Sequence, residues 1–301
     1  MTIADPLYAD WLHQQIRVKP DQLAVHDLSA ERCFTWQQLN DRVDALAHRL
    51  IREGIAQGDR IAYLGLNSSD VIEIFFAATR IGAIYVPLNF RLTAPELTYI
   101  LGDCAPSAVF YDQAFQAVIE EIDAAAIPHL TVATTLDGGD SAYEACLMTN
   151  EAALQAAPAN GDTQSMIMYS SCTTGKPKGV IYTRRMMLAS ALNLLQPSEA
   201  SPDTMALNVM PLFHIGGMQF VLMTMKFGIP YLMMKSFDPA AMLAAIGDTE
   251  LGITNIGGVP AMWSAMSLAP EIENPDLSRI RVAATGAESV PEPMLKDWQQ
   301  R

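Results

Sequence analysis

Positive charge is scarce in this sequence. Its 301 residues include 19 lysines and arginines against 33 aspartates and glutamates, which gives a formal net charge of −14. Nucleic acids and anionic membranes attract clustered cations, so this balance argues against both as partners. Any anionic ligand must instead be held by a local device, such as a loop of backbone N–H groups with one or two lysines.

Cysteines are also few and far apart. Cys33, Cys104, Cys146 and Cys172 form no C-x-x-C pair. A disulfide framework or a zinc site is therefore not expected. A reducing, cytoplasmic compartment is the expected location. Residues 1–13 lack the basic segment and apolar run of a signal peptide, so none is predicted.

Long apolar runs are absent apart from one stretch. Residues 204–225 carry no formal charge and approach the length that spans a membrane. Pro211, His214 and the adjacent glycines Gly216 and Gly217 interrupt this stretch. A buried strand, a loop and a buried helix are therefore preferred, and a membrane span is the lesser alternative.

The sequence does contain a regular alternation of strand-like and helix-like segments. Half of its residues are hydrophobic and 17% are charged, as in a globular protein. Thr35 and Gln38 form a capping box, and apolar residues then recur at helical spacing until Gly54 ends the helix. The alternation predicts parallel sheets covered by helices, whereas residues 137–163 are predicted to form a surface connection. Strands are predicted at 60–66, 83–89, 107–111, 129–134, 165–170, 205–211, 229–234, 252–256 and 280–285, and further helices at 69–81, after 93, at 113–126 and 216–227, and after 239 and 260.

The most informative segment follows the predicted strand 165–170. Residues 169–180 read YSSCTTGKPKGV, with four serine and threonine hydroxyls, two glycines and two lysines. Hydroxyls and backbone N–H groups can donate to phosphate oxygens, and Lys178 would add positive charge. A Walker-type loop fails on the residues, because no glycine lies five positions before Gly175 and Pro177 follows the lysine. A polar surface turn is the other alternative, but one this dense after a buried strand is uncommon.

YSSCTTGKPKGV resembles the phosphate loop of the adenylate-forming superfamily, which comprises acyl-CoA synthetases, luciferases and the adenylation domains of peptide synthetases. The pattern of that loop is specific, and the resemblance covers nearly the whole chain. Four other segments also resemble the family: TWQQLNDRVDALAHRLIREGIAQGDRIAYLGLNSSD, AATRIGAIYVPLNFRLTAPELTYILGDCAPSAVFYD, PLFHIGG (211–217) and GAESVP (286–291). One residue departs from the pattern: Cys172 stands where the family usually has glycine. Either the loop tolerates a small side chain there, or its affinity for ATP is reduced.

The resemblance implies the α/β fold of the N-terminal adenylation domain, with helix-covered, mainly parallel β-sheets, over residues 1–301. It implies two subdomains: approximately 60–200 with the first sheet and the phosphate loop, and 1–59 together with 201–301 with the second sheet and the acyl pocket. The family's β-barrel part and small C-terminal domain are largely missing before Arg301. With them would go the magnesium-binding acid, the ribose-binding aspartate and the catalytic lysine. The expectation is therefore a truncated product or fragment, with no metal ligand and no certain catalytic residue of its own.

Family roles carried over by position give three groups of candidate site residues. The terminal phosphates of ATP would be held by Ser170, Ser171, Cys172, Thr173, Thr174, Gly175 and Lys178, while Lys176 falls at a variable position. The acyl pocket would be lined by His214, Gly216, Gly217, Val259 and Pro260. Adenine and the adenylate would contact Gly286, Ala287 and Glu288. Without the motif, His214 would be predicted as a capped histidine at a strand end.

The implied function is that of an ATP-dependent carboxylic acid–CoA ligase that works through an acyl-adenylate, with ATP, Mg²⁺ and coenzyme A. The expected partner is a small-molecule carboxylic acid, the expected context is fatty acid metabolism in the cytoplasm, and a homodimer is left open. Little or no full ligase turnover is expected of this chain alone. Two alternatives remain: a non-catalytic nucleotide-binding, acyl-binding or interaction module, and an amino-acid adenylation domain. The latter tends to carry F-D-x-S where this chain has residues 213–216 without a carboxylate.

Overall fold

The computed structural model describes residues 6–123, 126, 128, 130–135, 141–148, 153–170, 175–273 and 275–300. Its α-helices are α1 (Trp11–Ile16), α2 (Trp36–Arg52), α3 (Ser69–Arg80), α4 (Ala94–Cys104), α5 (Gln116–Glu121), α6 (Ala142–Cys146), α7 (Arg184–Leu195), α8 (Ile215–Phe227), α9 (Pro239–Gly247), α10 (Pro260–Leu268) and α11 (Glu292–Gln300). Its strands are β1 (Leu23–Asp27), β2 (Arg32–Thr35), β3 (Arg60–Leu64), β4 (Ile84–Leu88), β5 (Ala108–Asp112), β6 (Leu130–Thr134), β7 (Gln164–Tyr169), β8 (Gly179–Thr183), β9 (Ala206–Asn208), β10 (Tyr231–Met233), β11 (Asn255–Gly258) and β12 (Val282–Thr285).

The described strands form two six-stranded sheets of the same plan. Sheet I has the order β6-β5-β3-β4-β7-β8, and sheet II has the order β12-β11-β9-β10-β1-β2. Neighbouring strands are parallel except at one edge of each sheet, where the hairpins β7–β8 and β1–β2 are antiparallel. This is the helix-covered, mainly parallel architecture that the sequence predicts. The division of the chain into two subdomains stays a prediction.

Successive residues of a strand pack into different cores, which fixes the order of the layers. In β3, Ile61 belongs to the core shared with α2, α3, α7 and α8, whereas Ala62 faces α4 and α5. In β10, Tyr231 joins that same shared core, whereas Leu232 faces α9 and α10. Because side chains alternate across a sheet, α2, α3, α7 and α8 must lie between the two sheets. The helices α4 and α5 cover sheet I from outside, and α9 and α10 cover sheet II.

Local signals explain where two of the helices begin. The Thr35 side chain accepts from the backbone N–H of Gln38, whose side chain accepts from the Thr35 N–H in return. The same capping box joins Thr93 and Glu96 at the start of α4. Each box satisfies N–H groups that the first helical turn leaves without partners. Gly54, with φ of +85°, follows the end of α2 in the left-handed region that glycine favours.

The connection between sheet strands β6 and β7 differs from the prediction of a surface segment. It contains α6, whose Tyr143 is completely buried and donates a hydrogen bond of 2.7 Å to Glu73 Oε2. Part of the predicted connection, residues 137–140 and 149–152, lies outside the described residues. The predicted helix 113–126 is also shorter, because a 3₁₀ turn at Gln113–Phe115 precedes α5.

No helix among the described residues is both long and apolar enough to cross a membrane. The uncharged stretch 204–225 instead forms β9, a loop and most of α8. Eight consecutive residues of α8, from Met218 to Met225, include only one that is not buried, Gln219. The strand, loop and buried helix predicted for this stretch are therefore what the structure contains.

Candidate functional site

A cavity of about 470 Å³ opens at the carboxyl ends of β9, β11 and β12 in sheet II. Ligands of parallel α/β sheets bind at this edge, and the volume falls in the range of small-molecule sites. The described residues that line it are mostly apolar or glycine and include no Asp or Glu: Arg91, Leu194, Met210, Pro211, Phe213, His214, Gly216, Gly217, Gln219, Phe220, Gly257, Gly258, Val259, Met262, Ala284, Thr285, Gly286 and Ala287.

The first turn of α8 forms one wall of the cavity, and Gly217 fixes how closely that turn approaches the loop before it. A Cβ at Gly217 would overlap the carbonyl oxygen of Pro211 and lie 2.7 Å from that of Met210. A Cβ at Gly216 would meet nothing closer than His214 Nδ1 at 3.6 Å, an ordinary contact. Gly217 therefore permits close backbone packing, and Gly216 leaves open space in the cavity.

The floor of the cavity depends on a second close approach. The ring of Phe220, from α8, lies against Gly257 in β11, where an added Cβ would overlap the ring and lie 3.0 Å from its Cε2 atom. The alternation of β11 and the helical spacing of α8 thus bring an aromatic side chain onto bare backbone. This contact gives the cavity an apolar surface.

His214 is both a helix cap and a cavity residue. It is the N-cap of α8, and its Nδ1 accepts a hydrogen bond from the Gly216 N–H at 3.3 Å. A ring whose Nδ1 accepts this bond carries its hydrogen on Nε2. The capping role that the residues alone predict and the cavity position that the motif predicts both occur in one residue.

Two features at the end of β12 point to a ligand. Ala287 has φ of +73°, a conformation that costs a non-glycine residue about 1 kcal/mol. The Thr285 hydroxyl is buried, lines the cavity and has no hydrogen-bond partner among the described residues. Strained backbone and unsatisfied buried polar atoms concentrate at functional sites, and a bound molecule could satisfy the hydroxyl.

Sheet I contributes to the cavity through the turn after β4. Arg91 lines the mouth, and its guanidinium lies 5.6 Å from the centre of the Phe90 ring. Phe90 in turn packs edge-on against Phe213, with ring centres 5.2 Å apart. The two sheets thus meet at the cavity through a stack of one cation and two aromatic rings. Neither Arg91 nor Phe90 is predicted as a site residue from the sequence, although both lie in a segment that resembles the family.

A second contribution from sheet I is Asn67, a buried residue between β3 and α3. Its amide nitrogen donates to the carbonyl oxygens of Met210 (3.0 Å) and Met234 (3.2 Å), and its oxygen accepts from the Leu212 N–H at 2.9 Å. Met234 directly follows β10 of sheet II, and Met210 and Leu212 belong to the loop that forms the cavity wall. Asn67 therefore positions that loop. No pattern in the sequence around it signals this role.

The predicted phosphate loop connects β7 and β8, and only its flanks are described. Ser171, Cys172, Thr173 and Thr174 lie outside the described residues. Ser170, Gly175 and Lys178 are exposed, and the Ser170 N–H donates to the Lys178 carbonyl at 3.0 Å, which closes the hairpin. None of these three lines the cavity, and their role as phosphate ligands stays a prediction.

Helix α4 contacts both flanks of this loop. The Tyr169 hydroxyl donates to Asp103 Oδ2 at 2.6 Å, and the Lys176 ammonium lies 4.9 Å from the centre of the Tyr99 ring. Partial burial and the hydrogen bond to Asp103 raise the pKa of Tyr169 above its ordinary value. Lys176, which falls at the variable family position, is therefore engaged with an aromatic ring of α4.

The structure brings together candidate residues from three distant segments of the chain. Those among the cavity-lining residues are His214, Gly216, Gly217, Val259, Gly286 and Ala287. Two others are not: Pro260 is the buried first residue of α10, and Glu288 is exposed. Among the described residues no group of three or more His, Cys, Asp or Glu could hold a metal ion.

Comparison with protein-family models matches residues 12–301 to one family, described as AMP-binding enzyme. This chain belongs to that family. The match covers both sheets, the hairpin β7–β8 and every residue that lines the cavity. The fold and the family predicted from the sequence are both confirmed.

Three curated relatives of this chain are named as CoA ligases or a CoA synthase. An indoleacetate–CoA ligase of Aromatoleum aromaticum is 33% identical over 296 residues, which cover 97% of this chain and 57% of that protein. A long-chain-fatty-acid–CoA ligase, FadD13, of Mycobacterium tuberculosis is 33% identical over 95% of this chain and 56% of its own length. A feruloyl-CoA synthase of an Amycolatopsis species is 30% identical, with 97% and 56% covered. The chain thus spans slightly more than half the length of these relatives.

Solved structures agree with this assignment of the fold. The inhibitor-bound N-terminal domain of FACL13 from Mycobacterium tuberculosis superposes with a TM-score of 0.89 at 28% identity, over 99% of this chain and 73% of that one. The o-succinylbenzoate CoA synthetase MenE of Bacillus subtilis gives a TM-score of 0.83 at 22% identity, over 97% and 56%. The second likeness concerns the fold alone.

Proposed function

We propose that this chain forms the acid-binding and ATP-binding part of a carboxylic acid–CoA ligase that works through an acyl-adenylate. The observation that carries the proposal is the cavity, where segments 210–220, 257–262 and 284–287 converge at the carboxyl edge of sheet II. Relatives named as CoA ligases for indoleacetate, fatty acids and ferulate support the reaction class. Since the chain spans about half of their length, the activity of a whole enzyme is part of the proposal.

The proposed reaction is an in-line displacement at phosphorus. A carboxylate oxygen of the acid forms a bond to the α-phosphorus of ATP, the bond from that phosphorus to the bridging oxygen breaks, and pyrophosphate leaves. The thiol of coenzyme A then attacks the acyl carbon and releases AMP. In the first step both reactants are anions, so the chain must hold them in line and supply donors to the developing charge.

Composition of the cavity supports an acid with an uncharged body. Leu194, Phe213, Phe220 and Met262 would surround its apolar part, and methionine adapts its shape to different ligands. No carboxylate is found among the described lining residues, so the ammonium group of an amino acid would have no charged partner there. This favours a simple carboxylic acid over an amino-acid substrate.

The phosphate end of ATP is assigned to the β7–β8 loop. Its hydroxyls, its backbone N–H groups and Lys178 would contact the β- and γ-phosphates, while Gly286, Ala287 and the Thr285 hydroxyl would face the adenylate. Mg²⁺ prefers oxygen ligands and would arrive on the phosphates of ATP. The described residues offer no cluster of His, Cys, Asp or Glu that could hold it. A cytoplasmic location, a role in fatty acid metabolism and a homodimer stay predictions.

A second candidate function is a non-catalytic nucleotide-binding, acyl-binding or interaction module. Cys172 favours it, because this residue stands at the position where the family pattern has glycine. A side chain at a position that needs close approach to phosphate would weaken ATP binding.

Calorimetric titration with ATP and Mg²⁺ tests both candidates. We expect the chain to bind ATP and Cys172→Gly to bind about five to ten times more tightly, which corresponds to roughly 1 kcal/mol or more. Lys178→Gln should weaken binding more than the matched change Lys176→Gln. If neither the wild type nor Cys172→Gly binds ATP, the ligase proposal fails and the interaction module remains.

A further inference from the structure

We propose that Arg91 receives the carboxylate of the acid substrate at the mouth of the cavity. The inference rests on the proposed function and adds a specificity-determining residue to it. Its consequence is that the site selects for a negatively charged head group before ATP chemistry begins. Arg91 lies outside the phosphate loop, and no acyl or adenylate role is predicted for it from the sequence, although the segment that contains it is part of the family resemblance.

The guanidinium of Arg91 is a cation without an anionic partner. Several arginines elsewhere in the chain do have carboxylate partners: Arg42 lies 2.7 Å from Glu73 and from Glu144, and Arg80 lies 2.7 Å from Asp10. Within the part of the chain that the structure describes, no carboxylate lies within 4.0 Å of the Arg91 guanidinium. Arg91 is also the one Lys or Arg among the described residues that line the cavity.

The position of Arg91 is fixed by its own turn. Its backbone N–H donates to Asn89 Oδ1 at 2.9 Å, and the Leu92 N–H donates to the Asn89 carbonyl at 3.1 Å. The guanidinium lies against the Phe90 ring, which packs against Phe213. A guanidinium on an aromatic face keeps the N–H groups at its edge free for a carboxylate, which it can bind through two parallel hydrogen bonds.

The charge distribution of the chain favours an anion at the mouth of the cavity over one at most of the remaining surface. The whole chain carries a formal charge of −14, so a carboxylate approaching most of the surface is repelled. At the mouth, Arg91 is joined by the first turn of the 13-residue helix α8, where Gly216 and Gly217 line the cavity. A helix N-terminus carries partial positive charge, so both groups attract the same end of a ligand.

The orientation of the substrate follows from where the charged and apolar groups lie. Arg91 and His214 are exposed, which places the carboxylate at the open end. The apolar body would extend towards Leu194, Phe220 and Ala284, which also line a small adjoining cavity of about 30 Å³. Since Arg91 follows β4 and β4 pairs with β7, the carboxylate is then on the side of the sheet from which the β7–β8 loop projects.

Matched pairs of ligands that differ only in charge provide the test. The probes are indole-3-acetate, ferulate and decanoate, each compared with its primary amide by calorimetric titration of the chain. For the acids that the wild type binds, we expect Arg91→Gln to bind about five to thirty times more weakly, the effect of losing a charged hydrogen-bond partner. Affinity for the amides should stay the same, and Arg91→Lys should lie between. Arg185→Gln, which removes an exposed arginine outside the cavity, is the control for net charge.

Each result decides the inference. If Arg91→Gln binds acids as the wild type does, or loses affinity for ATP and not for acids, Arg91 does not hold the substrate carboxylate, and the proposed function stands without it. If the wild type binds none of the acids, both the inference and the acid site of the proposed function are overturned. A melting temperature for Arg91→Gln close to that of the wild type shows that the variant is folded in either case.

Discussion

At the residue scale, two adjacent glycines of one motif have different structural roles. Gly216 and Gly217 are indistinguishable in sequence, and the resemblance assigns both to the acyl pocket. In the structure only Gly217 lies against the backbone of the preceding loop, whereas Gly216 borders open space. The motif residues predict the cavity. The packing decides which of them cannot change.

Replacing each glycine by alanine separates these roles. Gly217→Ala would force the first turn of α8 away from the carbonyl groups of Pro211 and Met210, at a cost of about 1–3 kcal/mol. Gly216→Ala has room for its methyl group and gains helix propensity, so its stability should be unchanged or slightly higher. Urea unfolding measures both. Equal stability of the two variants would contradict the close approach at Gly217.

A second residue-scale feature is a cluster with more acids than bases. Asp70 and Glu73 of α3 and Glu144 of α6 share Arg32 and Arg42, at distances of 2.7–3.0 Å for four of the contacts. Three carboxyl groups thus face two guanidinium groups, with Tyr143 donating to Glu73. Burial, and then the neighbouring Glu73, raise the pKa of Asp70 from its ordinary 3.8 to about 8.

This raised pKa predicts a pH dependence of stability with a definite sign. The stabilising contribution of protonated Asp70 is fully present below about pH 4 and is lost as the pH rises to about 8. Asp70→Asn, which keeps the acceptor for Arg32, should therefore lose less stability than the wild type between pH 5 and pH 8, by on the order of 1–3 kcal/mol. Asp41→Asn, at an exposed site, is the control. Parallel pH profiles for Asp70→Asn and the wild type would refute the assignment.

At the scale of helices and strands, the sequence predicts the features that depend on contacts between residues close in the chain. The capping boxes at Thr35 and Thr93 place the starts of α2 and α4, because each is closed within three residues. The elements α1, β1, β2, β8 and α7 were not predicted. The position of α6 depends on the burial of Tyr143 against Glu73, 70 residues away in sequence. Such contacts leave no periodic pattern in the segment itself.

The residues of the site also fall into those that the sequence predicts and those that depend on contacts between distant segments. Cavity residues that belong to motifs, such as His214 and Gly286, could be chosen from the sequence, since the family pattern carries their positions. Arg91 and Asn67 could not, because their roles come from the way sheet I meets sheet II. Arg91 does lie in a segment that resembles the family, and a strongly acidic chain needs a local cation for an anionic ligand, but neither signal marks this arginine among the others.

Asn67 supplies a prediction about how one sheet positions the loop of the other. In Asn67→Asp, an oxygen would replace the amide nitrogen that donates to Met210 and Met234 and would face both carbonyl groups. We expect a loss of about 2–4 kcal/mol in unfolding free energy, because two buried acceptors lose their donor. Asn193→Asp, on the exposed side of α7, should change stability by less than about 0.5 kcal/mol. A small effect at Asn67 would mean that it does not hold the cavity wall.

On the scale of the whole molecule, the two sheets present their carboxyl edges to one region. Sheet II supplies the cavity, and sheet I supplies Arg91, Asn67 and the hairpin that carries the predicted phosphate loop. The proposed function requires groups from both sheets. Sheet II would hold the apolar body of the acid, and residues of sheet I would contact its carboxylate and the phosphates of ATP. The chain spans slightly more than half of its curated relatives, and all of these features lie within that span.

A crystal structure of the chain with a non-hydrolysable acyl-sulfamoyl adenosine tests the central claim most directly. The account predicts the acyl group inside the sheet II cavity, beside Phe220 and Met262, with the sulfamoyl group near Arg91 and His214 and the nucleoside next to Gly286 and Ala287. Binding of the analogue anywhere else on the chain, with this cavity left empty, would contradict it.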